Sequence, residues 1–457
     1  MKKYSPNLKL KMFHQADAPL ANGLTRSQLL HIDDNEFESN HGFIQWAFPT
    51  PERSLHNFSA PILDIPDAIW LAEQESVSSF LEAMTERFLH FLSDNRYWIK
   101  AYDHNHLRIS RAIQSLRILH SWELSQWFYE QVINLCGDHL SDMANAGSHW
   151  GRNVSSHHDR ITGAVMGVAI GDAIGAPVEF RTRGTFAEVT SYQSGGAFDL
   201  PAGAWTDDTA MMLCLLDSLI AKSTFDASDA LNRFCQWAEH GENSSTGVAV
   251  GIGQNTLRVL GDYRRTGRLE ARASGTKNDG NGSLMRISPI AAFFHSDLAL
   301  AREMASRQSR ATHASEIAAQ CCSFQVELLV RLINGEEFHS AKSRTLEKHK
   351  DTPLHRELVQ DFRGMCSQEI PSTGYVLDTL RAAMWSVENS STAESAMLLS
   401  ANLGDDADTV AAVTGQIVGA LYGYASIAKH LKIGLVAERE IYVKSQFVSL
   451  GAQNRLE

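Results

Sequence analysis

Gly163, Gly167, Gly171 and Gly175 recur every fourth residue in an otherwise apolar run, and no other feature of the sequence narrows the fold as much. At 3.6 residues per turn this spacing sets the first three on one side of a helix over 161–174, with Gly175 continuing the smooth stripe at its end. Each interior glycine costs a helix about 0.5–1 kcal/mol, so four in register imply a close neighbour. Two readings are open. Another helix crosses at very short distance, or the stripe lines a site toward which Asp172 and Glu179 point. In lipid such a stripe is a dimer face, but Asp172 interrupts this one, and no stretch approaches the ~18 apolar residues of a membrane span.

Helical periodicity dominates the rest of the C-terminal part, at 207–221, 230–239, 248–260, 315–333 and 408–424. No alternating strand series with Asn-Gly or Asp-Gly turns joins these stretches. The expected fold is all-α, a multi-helix orthogonal bundle with a smaller, mainly helical N-terminal domain. That first domain, 1–150, is rich in aromatics and holds six of the nine tryptophans. Its helical patterns lie at 81–92 and 107–135. A polar Gly/Ser-containing segment, 145–156, reads as the linker to a catalytic domain at 158–430, with 431–457 as a C-terminal tail.

Composition excludes several classes. Lys+Arg 41 against Asp+Glu 53 gives a net charge of −12, which argues against nucleic-acid phosphate binding and a basic membrane patch. The six cysteines form no CxxC pair, which argues against a zinc ribbon, and Cys214, Cys321 and Cys322, in apolar helical stretches, read as small buried hydrophobes in a reducing compartment. The basic start, Met1 to Pro6, is followed by no apolar segment of the signal-peptide kind, and the expected location is cytoplasmic.

Two acidic clusters stand before apolar helices: Thr206-Asp207-Asp208-Thr209 and Gly404-Asp405-Asp406-Ala407-Asp408-Thr409. Each alone is explained as a helix cap with first-turn acids. They lie far apart in the chain, so only the fold brings them together. If they meet, Asp207, Asp208, Asp406 and Asp408 supply four carboxylates, and Thr206 and Thr409 add neutral oxygens. Four negative charges balance two divalent cations, and all-oxygen ligation suits Mg²⁺ or Mn²⁺. A third segment, 275–286, reads as a glycine-rich loop before a helix, an arrangement able to cradle an anion, with Arg286 as a phosphate partner.

These residues together carry a resemblance. Residues 163–180, from the glycine stripe to Glu179 and Phe180, resemble the opening of the ADP-ribosylglycohydrolase family. The two acidic clusters resemble its metal motifs, Asn281-Gly282-Ser283 with Met285-Arg286 its nucleotide-side loop, and Thr312-His313 a further family position. All five occur in family order over about 160–429. The resemblance implies an all-α hydrolase that cleaves the glycosidic bond between ADP-ribose and a modified protein side chain, arginine first among them. It implies two Mg²⁺ or Mn²⁺ ions on Thr206, Asp207, Asp208, Asp406, Asp408 and Thr409. Asp208 and Glu179 would be catalytic, the latter on a mobile loop over the ribose. Asp172, Gly282, Ser283, Met285, Arg286 and His313 would contact substrate. One position departs: arginine-directed members can carry an Asp in a Phe-Asp-Ile-Gly stretch, and Gly251 stands there in this chain.

The N-terminal part resembles a different family. His41 to Pro49, Asn57 to Pro61 and Asn105 to Arg111 are similar to the shared region of opioid growth factor receptor-like proteins. His104 and His106 make a weak metal pair. The second functional reading is an immunity protein whose N-terminal domain neutralises an ADP-ribosyltransferase toxin.

Overall fold

The computed structural model describes residues 7–54, 57–273 and 279–453. Helices carry these residues, with no strand among them and two isolated bridges, Gly195–Leu200 and Gly280–Tyr375. The fold is all-α, as the periodicities imply. The chain divides into two compact units, Lys2–His158 and Asp159–Glu457. The N-terminal residues 1–6, which carry the signal-peptide reading, and 275–278 of the glycine-rich loop lie outside the described residues.

An aromatic core holds the first unit. Phe37 stacks on Phe91 at 4.6 Å and meets Phe43 edge-on at 5.0 Å, while Phe88 packs on Phe128 at 5.7 Å. Buried Arg108 donates to the carbonyls of Phe37 (3.1 Å), Glu38 (3.2 Å) and Asn40 (3.3 Å), tying the loop before His41 to the core. The pattern over 107–135 is broken into His104–Leu119 and Trp122–Cys136, because Ser121 leaves helical geometry and caps the second helix through the Leu124 amide. His106 bonds the Trp98 carbonyl at 2.9 Å and is a core residue, and His104 pairs with Glu38 and Asp103. The expected linker is mostly helix, Ala144–Asn153. Trp150 there is fully buried and donates its indole N–H to the His106 carbonyl. Burying so large a ring outweighs the poor helix preference of its Gly and Ser neighbours.

In the second unit the glycine stripe has a definite partner. The Ser156–Gly175 helix crosses the Ala407–Tyr422 helix with backbones in contact. A Cβ on Gly163 would overlap Gly419, one on Gly167 Gly415, one on Gly171 Ala411, and one on Gly175 Asp408. As one number climbs by four the other falls by four, four and then three, so the helices run antiparallel. The stripe is thus a helix–helix contact. It also bears on the membrane question. The helical run Trp122–Val178 does contain a window apolar and long enough to cross a bilayer, contrary to the sequence estimate, but that window is wholly buried inside the protein.

Other boundaries shift for local reasons. The helix expected from 248 starts at Gln254, since Gly247 and Gly251 take φ of 82° and 81°, outside helical space. The segment read as a tail contains the Glu438–Gln453 helix, whose Ile441, Tyr442, Val443 and Val448 are buried. All six cysteines are free, and only Cys366 is exposed.

Candidate active site

Close approach of the two glycine-lined helices places Asp172 beside the start of the Asp207–Lys222 helix. Asp172 is fully buried. One oxygen accepts the Thr206 amide (3.0 Å) and hydroxyl (2.9 Å); the other accepts the Thr209 amide (3.0 Å) and hydroxyl (2.7 Å). It therefore caps that helix, which Thr206 itself does not. Burial lifts its pKa to about 6 against the pull of these bonds. Both oxygens of Asp172, a residue expected to contact substrate, are taken up in holding the first acidic motif.

The two acidic motifs meet. The Thr206 hydroxyl shares its one proton between Asp172 and Asp408, the latter at 3.2 Å, and Thr409 donates to Asp208 at 3.2 Å, a reciprocal pair across the two helix starts. Neither Thr206 nor Asp406 caps its helix through its side chain, so capping does not explain the clusters. Glu179 joins them: ligand-capable oxygens of Glu179, Asp406 and Asp408 lie within 4.8 Å of one another. Asn281 donates to Asp406 at 2.5 Å and to Thr379 at 2.8 Å. Gly251 abuts the centre from the other side, where a Cβ would overlap Asp207 Oδ1.

The electrostatics are those of carboxylates crowded without a countercharge. Burial, then the charges of Asp408, Asp207 and Asp406, push Glu179 up to about 11. Asp207, Asp208 and Asp408 are held well above the usual carboxylate range, by burial first and by neighbouring carboxylates second: Asp408 acts on Asp207 and Asp208, and Asp406 acts on Asp408. Burial raises Asp406 to about 6 against its Asn281 bond. Glu179 Oε2 and Asp208 Oδ1 are buried with no hydrogen-bond partner. Such a set is stable with protons or with cations between the oxygens. Hard oxygen donors, converging and partly unpartnered, fit divalent metal.

Behind this centre stand residues expected to touch substrate. Arg286 is fully buried; it donates to Gln308 Oε1 (3.0 Å) and Thr312 Oγ1 (2.7 Å) and lies over the Phe234 ring at 4.6 Å. In this structure the guanidinium read as a phosphate partner is satisfied by protein groups. His313 is buried under Gly280 and Gly282, takes a bond with Thr312 at 2.9 Å, and is lowered to about 3 by burial and by Arg286, so it is neutral. The Ser283 hydroxyl pairs with Ser309 at 2.8 Å, and Met285 is buried. Within 281–286 only Gly282 is partly exposed. Asn281 was visible in the sequence as part of the loop string, yet nothing there marked it as the residue that reaches Asp406.

A second support comes from beyond the expected catalytic boundary. Lys444, on the Glu438–Gln453 helix and 2% exposed, bonds Asn243 Oδ1 (3.0 Å) and pairs with Asp217 (3.2 Å) and Glu440 (3.1 Å). The Asn243 carbonyl accepts the Trp205 indole N–H at 3.2 Å, and the Ser245 hydroxyl donates to the Trp205 carbonyl at 2.7 Å. Trp205 directly precedes Thr206. Lys444→Met removes the donor these acceptors share, at a cost of about 2–3 kcal/mol, read as a lowered melting temperature with reduced turnover. Unchanged melting and turnover would show the network to be idle.

Comparisons with known proteins agree with this geometry. The family model described as ADP-ribosylglycohydrolase matches residues 153–452. The ADP-ribosylarginine hydrolase Tri1 of Serratia proteamaculans (strain 568) is 39% identical over 286 residues, 62% of this chain and 77% of that protein. An ADP-ribosyl-(dinitrogen reductase) glycohydrolase of Rhodospirillum rubrum is 31% identical over 295 residues, 63% of this chain and 94% of that protein. A solved structure described as an ADP-ribosylglycohydrolase-related protein complex aligns with a TM-score of 0.57 at 32% identity, over 65% of this chain and 99% of that one.

Proposed function

Because the chain belongs to the ADP-ribosylglycohydrolase family, we propose that it hydrolyses the bond between ADP-ribose and a modified arginine side chain of a protein. The observation that carries the reading is the meeting of the two acidic helix starts, locked by the Thr206–Asp408 and Thr409–Asp208 bonds. Arginine as acceptor is supported by the activity named for the Serratia relative, and a protein acceptor by that named for the Rhodospirillum relative. The carboxylate expected from arginine-directed members is absent at Gly251, and the close fit of Gly251 on Asp207 leaves no room for a side chain without movement.

Thr206, Asp207, Asp208, Asp406, Asp408 and Thr409 are the residues that would hold two Mg²⁺ or Mn²⁺ ions. When bound, such ions supply Lewis-acid polarisation of the ribose oxygens and of water. The protein's own part is proton handling and charge. In the hydrolysis, the oxygen of water bonds to the anomeric carbon as the carbon–nitrogen bond breaks. With their own protons displaced by bound cations, Glu179 Oε2 or Asp208 Oδ1 would take the water proton and pass it to the departing guanidine nitrogen. The oxocarbenium character that develops is favoured by the surrounding carboxylates. Gly282 offers its backbone to the substrate, supported from behind by Ser283, Met285, Arg286 and His313. The Lys2–His158 unit lies almost wholly outside the matched region, and we assign it no part in this chemistry.

A direct test uses mass spectrometry of peptides bearing ADP-ribose on arginine or on serine, incubated with the protein and Mg²⁺ or Mn²⁺, with a chelator as control. The expected result is release from the arginine peptide that stops on chelation. No release from that peptide with either metal would overturn the reading.

A further inference from the structure

Glu179 and Asp406 face one another across the acidic centre. The residues next to them, Phe180 and Asp405, do something unusual together. Both take left-handed backbone conformations, φ 63° and 56°. Their backbones are joined: the Phe180 amide donates to the Asp405 carbonyl at 2.6 Å, and the Asp405 amide donates to the Arg181 carbonyl at 2.9 Å. Gly404 packs against the same Arg181 carbonyl, where a Cβ would not fit. A bulky residue at positive φ is uncommon and costs about 1–3 kcal/mol, so the surroundings must impose it here.

The strained pair is turned outward. Phe180 is 67% exposed, although an aromatic ring gains most from burial. Its edge-to-face contact with half-buried Phe198, 6.3 Å between centroids, steadies it from one side. Asp405 is also exposed, and its carboxylate accepts the Ser372 hydroxyl at 3.2 Å. Arg183 is near enough to feel that carboxylate, but its guanidinium is engaged elsewhere. It donates to the carbonyls of Ser367, Leu403 (2.8 Å) and Ile370 (2.7 Å) and to the Ser372 hydroxyl. An exposed ring and an exposed carboxylate therefore flank one backbone junction at the edge of the centre.

We propose that Phe180 and Asp405 form a cradle for the cationic acceptor, the guanidinium of the ADP-ribosylated arginine, and so act as specificity-determining residues. This rests on the arginine reading above. A guanidinium is planar and keeps its charge when substituted, so it stacks on an aromatic face and pairs with a carboxylate at once. A neutral acceptor uses neither contact. Glu179 and Phe180 being adjacent, one short segment presents a proton acceptor to the bond and a ring to the leaving group.

The test compares wild type with Phe180→Tyr, Phe180→Leu, Phe180→Gly and Asp405→Asn. Two quantities are measured: KM and kcat on an arginine-linked ADP-ribosyl peptide, and the inhibition constant of free ADP-ribose, which has no acceptor. Phe180→Leu, Phe180→Gly and Asp405→Asn are expected to raise KM about three- to tenfold, with the ADP-ribose inhibition constant unchanged. Phe180→Tyr keeps wild-type KM. Phe180→Gly melts no lower than wild type, because glycine takes this φ without strain. A parallel rise in the ADP-ribose inhibition constant, or a Leu variant equal to wild type, overturns the cradle while leaving the hydrolase reading intact. A wild-type protein inactive on the arginine peptide overturns both, and is told apart by failing before any variant is compared.

Discussion

Asp208→Asn abolishes turnover and leaves the fold intact, with a melting signature of opposite sign in the presence and absence of metal. Asp208 is 1% exposed; one oxygen accepts the Thr409 hydroxyl and the other is unpartnered. The amide keeps the volume and keeps an acceptor for Thr409, so packing is preserved. It removes one of the charges that burial, Asp408, Asp172, Asp207 and Asp406 make unfavourable. The metal-free variant should therefore melt at or above metal-free wild type. Added Mn²⁺ should reverse the order. A cation that binds only the folded state stabilises by mass action, and the variant offers it a weaker, uncharged oxygen. Turnover should fall about 100-fold or more, since changes even one shell further out cost 10–100-fold at metal sites. The measurement is a melting series with chelator and with Mn²⁺ for both proteins, beside initial rates. Equal metal shifts and equal rates would reduce Asp208 to a first-turn helix residue.

How far the sequence could be read follows from what kind of information each feature carries. The glycine stripe was legible because a four-residue spacing specifies a helix side before any partner is known. The partner, Gly415 and Gly419 on the Ala407–Tyr422 helix, lay in plain view with the same spacing, but nothing in a single sequence pairs two stripes. The acidic motifs were legible as residue types suited to divalent metal. Their meeting was a condition that only the crossing of the two helices could satisfy. Asp172 shows the opposite case. An acid on a glycine-lined helix near a site reads as a substrate contact, and what makes it a cap is the pair of amides and hydroxyls of Thr206 and Thr209, which come from elsewhere in the chain. The side-chain chemistry of Arg286 and His313 suits a substrate contact, and that much is legible from residue type. Their burial, and the Gln308 and Thr312 groups that satisfy them, are facts of packing with no local signature. Trp150 likewise turns a Gly/Ser segment into helix through burial that composition does not reveal.

Gly167→Ala should be the most damaging single methyl in the second unit. The added Cβ would overlap the carbonyl, carbon and Cα of Gly415. These are backbone atoms of a buried helix and cannot turn away as a side chain does. The two helices must separate, and Gly163, Gly171 and Gly175 lose their contacts with the same partner. Overpacking of this kind costs about 1–3 kcal/mol and occasionally more, and a rigid backbone obstacle sets the expectation at about 3 kcal/mol or above. At about 2–4 °C per kcal/mol for a unit of this size, the melting temperature falls by roughly 6–12 °C. The damage reaches the chemistry by the same route. Asp172 follows Gly171, and Gly175 rests on Asp408, so separation pulls Asp172 from the Asp207–Lys222 helix and opens the Thr206–Asp408 bond. Gly261→Ala supplies the contrast. Gly261 lies inside the Gln254–Thr266 helix with nothing within 4 Å of the added carbon. Alanine there removes unfolded-state freedom without a clash, and should stabilise by about 0.4–1 kcal/mol. The two substitutions are the same chemical change in two helix interiors, so their difference in melting temperature isolates the crossing from helix propensity. If Gly167→Ala melted with Gly261→Ala, the helices could not be in backbone contact, and the placement of both acidic motifs would need another cause.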